Sequence, residues 1–238
     1  RAEFDKNLFE NADSKGVHVH EGVRAKHVEF RQDSTHLVQA EDRTGRARTY
    51  EAKFVVDASG RDTFLSGQFG GKYRNPHHNS AAIFGHFEGV TRLPGADEGN
   101  ISIIWFDYGW WWIIPFKDST TSVGAVCWPS YISTRTVPLE QFLSDTIALC
   151  PPVAERMVKA KLIGQAYAAA NYSYRRTTMR GDGYIMIGDA FAFIDPVFSS
   201  GVHLALNSAT LGADVVDAYL RKSPEYQRCL REFERTVR

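Results

Sequence analysis

Residues 188–202 hold the densest run of potentially chemical side chains in the sequence. Gly188-Asp189-Ala190 is followed by Phe193-Ile194-Asp195-Pro196-Val197-Phe198-Ser199-Ser200-Gly201-Val202. The apolar run Tyr184-Ile185-Met186-Ile187 ends at a glycine and presents a carboxylate, Asp189. A proline-stiffened loop follows, and Ser-Ser-Gly opens an amphipathic helical pattern. Unpaired N–H groups at such a helix start, with the positive end of its dipole, favour an anion or a developing negative charge. Gly201, lacking a Cβ, would let a flat ligand come close to the backbone. The same residues also fit a plain structural use, with Ser199 or Ser200 as an N-cap and Asp195-Pro196 as a turn. Spacing alone does not separate the two.

Two more segments stand out. Phe54-Val55-Val56 runs into Asp57-Ala58-Ser59-Gly60-Arg61, a strand that stops at a turn of small residues. Trp110-Trp111-Trp112-Ile113-Ile114-Pro115 is an aromatic run whose composition by itself favours a buried strand. Other constellations are weaker. The eight histidines are scattered, with His18 and His20 alternating on a strand pattern and His77-His78 in a loop, and no metal-ligand set is readable. His203, just inside the helix that opens at Gly201, suits helix packing better than a cofactor contact. Ser199 lies in no G-x-S-x-G elbow, so acyl-transfer chemistry has no support. Cys127, Cys150 and Cys229 are far apart and lack C-x-x-C spacing. Free thiols in a reducing, cytoplasmic compartment are therefore expected.

The elements that must position these residues follow from periodicity. Phe4, Leu8, Phe9 and Ala12 share a helical face, and Gly16 stands where a left-handed residue would end that helix. Strands are expected at 17–20, 23–30 and 36–40, with Thr44-Gly45-Arg46 turning the chain into a strand over 49–56. The stretch 67–79, rich in Gly, Asn, His and Pro, reads as a crossing between domains. Strands are expected again at 81–88, 101–106, 110–116 and 121–128. Helices follow at 138–149 and 153–160, then strands at 165–169, 173–179 and 184–187. Helices over 202–220 and 224–237 close the chain.

Composition bounds the partners. The 238 residues hold 28 basic and 28 acidic side chains, for a formal net charge of zero. Such a balance offers no electrostatic reason to bind nucleic acid or an anionic membrane. With 43% apolar and 24% charged residues the chain is of ordinary globular composition. No apolar run approaches the roughly 20 residues of a membrane span. The first residues, Arg1-Ala2-Glu3-Phe4-Asp5, do not read as a signal peptide and begin directly in helical pattern.

Together these motifs resemble the flavoprotein monooxygenases built on the glutathione-reductase-type FAD fold. Gly188-Asp189-Ala190 is similar to their second FAD fingerprint, and Asp57-Ala58-Ser59-Gly60-Arg61 to the segment closing the same cofactor domain. Within that group the chain resembles the flavin-dependent halogenases. Trp110, Trp112, Ile114 and Pro115 match their W-x-W-x-I-P pattern, and Phe193, Pro196, Ser199 and Gly201 their F-x-x-P-x-x-S-x-G pattern. Asn171-Tyr172-Ser173-Tyr174 also looks like the family.

The resemblance implies an α/β fold with α+β character. A partial FAD-binding domain, residues 1–70 and 180–238, would carry an inserted, mostly antiparallel β-sheet substrate domain, residues 71–179, flanked by helices. FAD would be contacted by Gly60, Gly188, Asp189, Pro196, Gly201 and Val202, and halide (chloride or bromide) by the backbone at Ser200 and Gly201. Trp110, Trp112 and Pro115 would line the tunnel between flavin and substrate. The family oxidises halide through a flavin hydroperoxide and halogenates aromatic substrates, served by a separate flavin reductase. These are oxidoreductases of secondary metabolism. Its G-x-G-x-x-G phosphate loop, ribose-binding acidic residue and catalytic Lys are not found in these 238 residues, and are expected upstream of Arg1. The tryptophan-type members carry Glu where this chain has Phe198, which points to phenolic, pyrrolic or carrier-bound aromatic substrates instead. Two alternatives remain open. An FAD-dependent aromatic hydroxylase or prenyl-chain reductase would share both fingerprints. A flavin-free, non-catalytic fragment, self-associating through an exposed sheet edge, would follow from the missing phosphate loop.

Overall fold

The computed structural model describes residues 2–33, 35–74, 80–170, 173–193 and 195–237. These form two compact units, one of residues 1–58, 179–187 and 209–238, the other of residues 59–178 and 188–208.

The first unit starts with helix α1 (Ala2–Ser14). Gly16 ends it as periodicity requires, with φ +87° and the Val17 N–H donating back to the Ala12 carbonyl at 3.2 Å. Strands β1 (Val23–Glu29), β2 (His36–Asp42) and β3 (Ala47–Ala52) make an antiparallel meander in that order. The β2–β3 turn is tied by Asp42, which accepts the Thr44 hydroxyl (2.6 Å) and the backbone N–H groups of Thr44 and Arg46. The strand expected over 17–20 is absent. His20 instead sets its ring against Tyr50, at 5.3 Å between centroids.

The strand expected over 49–56 is divided. After β3 the chain leaves the meander at Lys53-Phe54, and β4 (Val55–Asp57) pairs in parallel with β13 (Tyr184–Met186). The Val55 N–H donates to Gly183 O at 2.8 Å, and Phe54 packs edge-on against Tyr219 at 4.8 Å. One alternating stretch thus serves two sheets, because its two ends find different long-range partners. The short β12 (Arg180–Gly181) completes the order β12-β13-β4. Helix α7 (Tyr226–Val237) buries Leu230 and Phe233 in this unit.

The second unit is organised by a five-stranded antiparallel sheet of order β10-β6-β9-β8-β7. Its strands are β6 (Ala81–Glu88), β7 (Ser102–Phe106), β8 (Gly109–Pro115), β9 (Thr121–Cys127) and β10 (Lys161–Ala170). These fall close to where periodicity places them. On one face Ile83, Phe87, Trp111, Ile113, Val123 and Ala125 form the core with residues of α4 (Leu139–Ala148) and α5 (Pro151–Met157), chiefly Phe142, Leu143 and Val153. Ahead of them stands the single turn α3 (Pro129–Ile132).

Around the sheet lie α2 (Phe64–Phe69), β5 (Lys72–Arg74), β11 (Tyr174–Arg176) and β14 (Ala192–Phe193), the three strands pairing as β14-β11-β5. The expected domain crossing over 67–79 therefore contains the end of α2 and all of β5, while 75–79 lie outside the described residues. Helix α6 (Gly201–Leu220) begins in this unit and runs 20 residues. The whole is a mixed α/β protein with antiparallel sheets and helices. Among the described residues no helix is long and apolar enough to cross a membrane.

Candidate functional site

Both fingerprint turns grow from the C-terminal ends of the parallel pair. β4 and β13 run in register, Asp57 opposite Met186, and the Ile187 N–H donates to the Asp57 carbonyl at 3.0 Å. Each strand then breaks into a tight 3-10 turn, Gly60–Asp62 after the first and Gly188–Ala190 after the second. The two turns pack against each other in the second unit. Gly60 sits at φ +61° with open space where a Cβ would be, so backbone conformation alone calls for glycine there. Gly188 has two reasons. Its φ is +53°, and a Cβ would lie 3.1 Å from the Ala205 Cβ, so the turn rests directly on the first part of α6.

Two side chains distant in sequence hold this turn, Ser208, which the sequence reading does not name, and Tyr174 of the stretch that resembles the family. The Gly188 N–H donates to Ser208 Oγ at 2.9 Å, and the Ser208 hydroxyl donates to the Ala205 carbonyl at 3.0 Å. The buried Tyr174 hydroxyl donates to the Asp189 carbonyl at 2.6 Å. Asp189 itself is half-buried. Ser208 gives no sequence signal, since a serine inside a helix ordinarily faces solvent or its own backbone.

The loop to α6 is built as its residue types suggest. Asp195 Oδ1 accepts the Val197 N–H at 2.8 Å in an Asx turn around Pro196, and Ser199 N–H donates to the Pro196 carbonyl at 2.9 Å. Ser199 is left-handed, φ +51°, and holds Phe198 outward with 88% of its surface exposed. Ser200 is the residue before α6, its carbonyl accepting the Leu204 N–H at 2.9 Å. The N–H groups of Gly201, Val202 and His203 therefore occupy the first turn, where a helix has no internal acceptor for them. A Cβ on Gly201 would meet only the Phe193 ring, at an ordinary 3.6 Å. Among the described residues no other atom lies within 4 Å of that position. His203 is exposed.

Phe193 is what joins the two motifs. Its ring, next to Gly201, packs together with Val197, Phe84 and Trp112 on the cluster of Ala82, Trp110 and Val126, the other face of the five-stranded sheet. Trp110 and Trp112 point to this face because they are two residues apart on β8, and Trp111 between them is fully buried in the opposite core. Trp110 and Trp112 stand 6.1 Å apart by ring centroid. Pro115 ends β8 opposite Thr121, an odd number of residues from Trp112, and is not part of this cluster. The structure thus brings together Trp110, Trp112, Phe193, Val197 and Gly201, and separately the Gly60 turn with the turn of Gly188 and Asp189. Among the described residues no three His, Cys, Asp or Glu side chains gather as a metal site, and the three cysteines are free thiols. Burial pushes the Cys127 thiol up to about 12, so it is no nucleophile at neutral pH.

The sequence model of the tryptophan halogenase family matches residues 1–238. The chain belongs to that family. It is 34% identical to tryptophan 2-halogenase of Chondromyces crocatus, over 96% of this chain and 46% of that protein. It is 33% identical to the 1H-pyrrole-2-carbonyl-[peptidyl-carrier protein] chlorinase of Pseudomonas fluorescens, over 92% of this chain and 50% of that one. Among solved structures, the myxobacterial chondrochloren halogenase CndH superposes with a TM-score of 0.93 at 36% identity, covering 100% of this chain and 55% of its own. CmlS, a flavin-dependent halogenase, superposes at 0.91 with 31% identity, over 100% and 43%. The chain spans about half the length of the curated relatives it matches.

Proposed function

We propose that this chain is the portion of an FAD-dependent halogenase that carries the flavin-facing helix start and the tunnel wall, in a protein that attaches halogen to an aromatic substrate. The observation that carries the reading is Phe193, whose ring links the Gly201 helix start to Trp110 and Trp112.

The residues present fit one end of a flavin cofactor. The Gly60 turn leaves open space at its Cα, and the α6 start offers N–H groups and a positive dipole end on its Gly201 side. In this reading Asp189 and Gly188 hold the ribityl side, Gly60 borders it, and Pro196, Gly201 and Val202 face the ring. When bound, the reduced flavin supplies with dioxygen the oxidising equivalent for chloride or bromide. Ser200 and Gly201 hold the halide through backbone N–H, where the helix dipole favours a negative charge. Trp110 and Trp112 keep the aromatic substrate away from the ring, which discourages direct hydroxylation, and Pro115 closes the end of the same strand. Residues 1–70 and 180–238 form the cofactor side and 71–179 the substrate side. The acid/base Lys and the phosphate-binding loop come from sequence outside these 238 residues.

For the substrate, the exposed Phe198 favours an apolar aromatic partner over a zwitterionic amino acid, since a protruding ring offers no charge to pair with one. Phenolic, pyrrolic or carrier-bound acceptors are the classes we propose, the last in line with the carrier-protein chlorinase among the relatives. A flavin reductase in the cytoplasm completes the cycle. The test is product analysis on the full gene product loaded with FAD, given reduced flavin, oxygen, bromide or chloride, and phenol, pyrrole and tryptophan acceptors. A halogenated product that disappears without halide is expected. A product carrying one added oxygen, formed equally well without halide, would identify a hydroxylase and overturn the reading.

A further inference from the structure

The indole of Trp112 is fixed by two residues that neither motif contains. Trp112 lies opposite Gly124 on β9, which in turn lies opposite Phe84 on β6. A Cβ built at Gly124 would sit 2.7 Å from Trp112 Cη2 and closer still to Cζ2 and to Phe84 Cβ. The Cζ2–Cη2 edge of the ring therefore occupies the space above its cross-strand partner and reaches the neighbouring strand, where Phe84 stands at 5.7 Å between centroids. The same edge of the indole is tied. The Trp112 indole N–H donates to Ser122 Oγ at 3.1 Å, two residues from Gly124 and on the same face of β9. Gly124 has no left-handed φ to explain it. Its missing side chain is the slot the ring occupies, and a lone glycine inside a strand signals such a close approach.

We infer that Ser122 and Gly124 are positioning residues that set the plane of Trp112, and through it the integrity of the wall between flavin and substrate; this rests on the halogenase reading above. Ser122 fixes rotation of the indole, while Gly124 fixes its depth. Trp110 needs no such device, being 6% exposed and enclosed by Ala82 and Val126.

The experiment uses the FAD-loaded full gene product with all tryptophans replaced by 5-fluorotryptophan. The Trp112 fluorine resonance is assigned by its loss in Trp112→Phe. One narrow resonance is expected in the parent protein. Ser122→Ala should shift and broaden it, Ser122→Thr should restore it by keeping the hydroxyl, and Gly124→Ala should displace it furthest. In parallel, reduced flavin, oxygen and bromide are supplied with phloroglucinol as probe acceptor, and hypobromite escaping to solution is trapped with taurine. The ratio of trapped to transferred bromine should rise about fivefold in Ser122→Ala, the factor one ordinary hydrogen bond is worth, with total bromide oxidation unchanged. An unmoved fluorine resonance in both Ser122→Ala and Gly124→Ala would overturn the positioning role, whatever the activity. A parent protein that oxidises no bromide, yet shows the fluorine shifts, would sink the halogenase reading and leave the positioning intact.

Discussion

Strand β9 and helix α1 both read as amphipathic or apolar, yet they are treated very differently. All seven residues of β9 are buried, because α4 and α5 cover one face of the sheet and Phe193 with Val197 the other. Helix α1 has no buried residue, and Phe4, Leu8 and Phe9 remain 39–45% exposed. The sheet of the second unit thus owns a complete core, whereas α1 has a matching stripe with little packed on it. Apolar area stabilises only where it is removed from water, so the two stripes should differ in energetic weight despite similar side chains.

That contrast can be broken or sharpened by mutation. Truncating the fully buried Trp111 to Ala should cost about 3–5 kcal/mol, the range for an aromatic core deletion. Denaturant unfolding of the second unit would show it, and a loss below about 1 kcal/mol would mean the sheet core is not closed. Next in size, Gly188→Ala forces a left-handed backbone and a Cβ against Ala205, for about 1–3 kcal/mol. On the proposed function it also weakens FAD retention, measured as flavin released per protein, and full retention would remove Gly188 from the cofactor site.

A smaller and pH-dependent effect belongs to the meander. The Thr44 hydroxyl, with the N–H groups of Arg46 and Thr44 and the Arg48 guanidinium, lowers the Asp42 carboxyl from 3.8 to about 2. A carboxyl depressed on folding stabilises the fold when ionised. Its contribution is present above about pH 4 and fades as the pH falls toward 2. Asp42→Asn should therefore be less stable than the parent at pH 7, and the gap should close between pH 4 and pH 2. A gap independent of pH would assign the effect to turn geometry instead. Smallest is Phe9→Ala on α1, expected within about 0.5 kcal/mol in this chain because the ring is already half in water. A cost like that of Trp111→Ala would show that α1 is covered in solution. Thiol labelling adds a check at fixed pH. At pH 8 iodoacetamide should modify the half-buried Cys229 well before Cys127, whose thiol is held near 12.

The local structure of the candidate site is largely legible in the sequence. Gly188-Asp189, Asp57 to Gly60 and the Ser-Ser-Gly helix start all sit on the elements that periodicity assigned them. The strands of the second unit were legible for the same reason, since alternation and burial agree there. Gly124 could have been found, as a glycine between Val123 and Ala125 is a recognisable interruption. Ser122 and Ser208 could not, and Tyr174 stood out only by resemblance, because a hydroxyl carries no sign of which distant group it will meet. The strand expected over 49–56 failed at Lys53-Phe54 because β3 pairs locally with β2, while β4 pairs with a segment more than a hundred residues away.

The sequence by itself determined the local conformations. Left-handed glycines end α1 and shape the fingerprint turns, alternation writes the five-stranded sheet, and residue type sets Trp110 and Trp112 on one face with Trp111 on the other. Only the tertiary structure decided which distant segments meet. It placed Phe193 between the helix start and the tryptophans, Ala205 and Ser208 against Gly188, and Ser122 at the indole of Trp112. The reason is physical. Periodicity fixes which way a side chain points, but the partner it meets depends on how whole faces share their burial, and that sum runs over the entire fold.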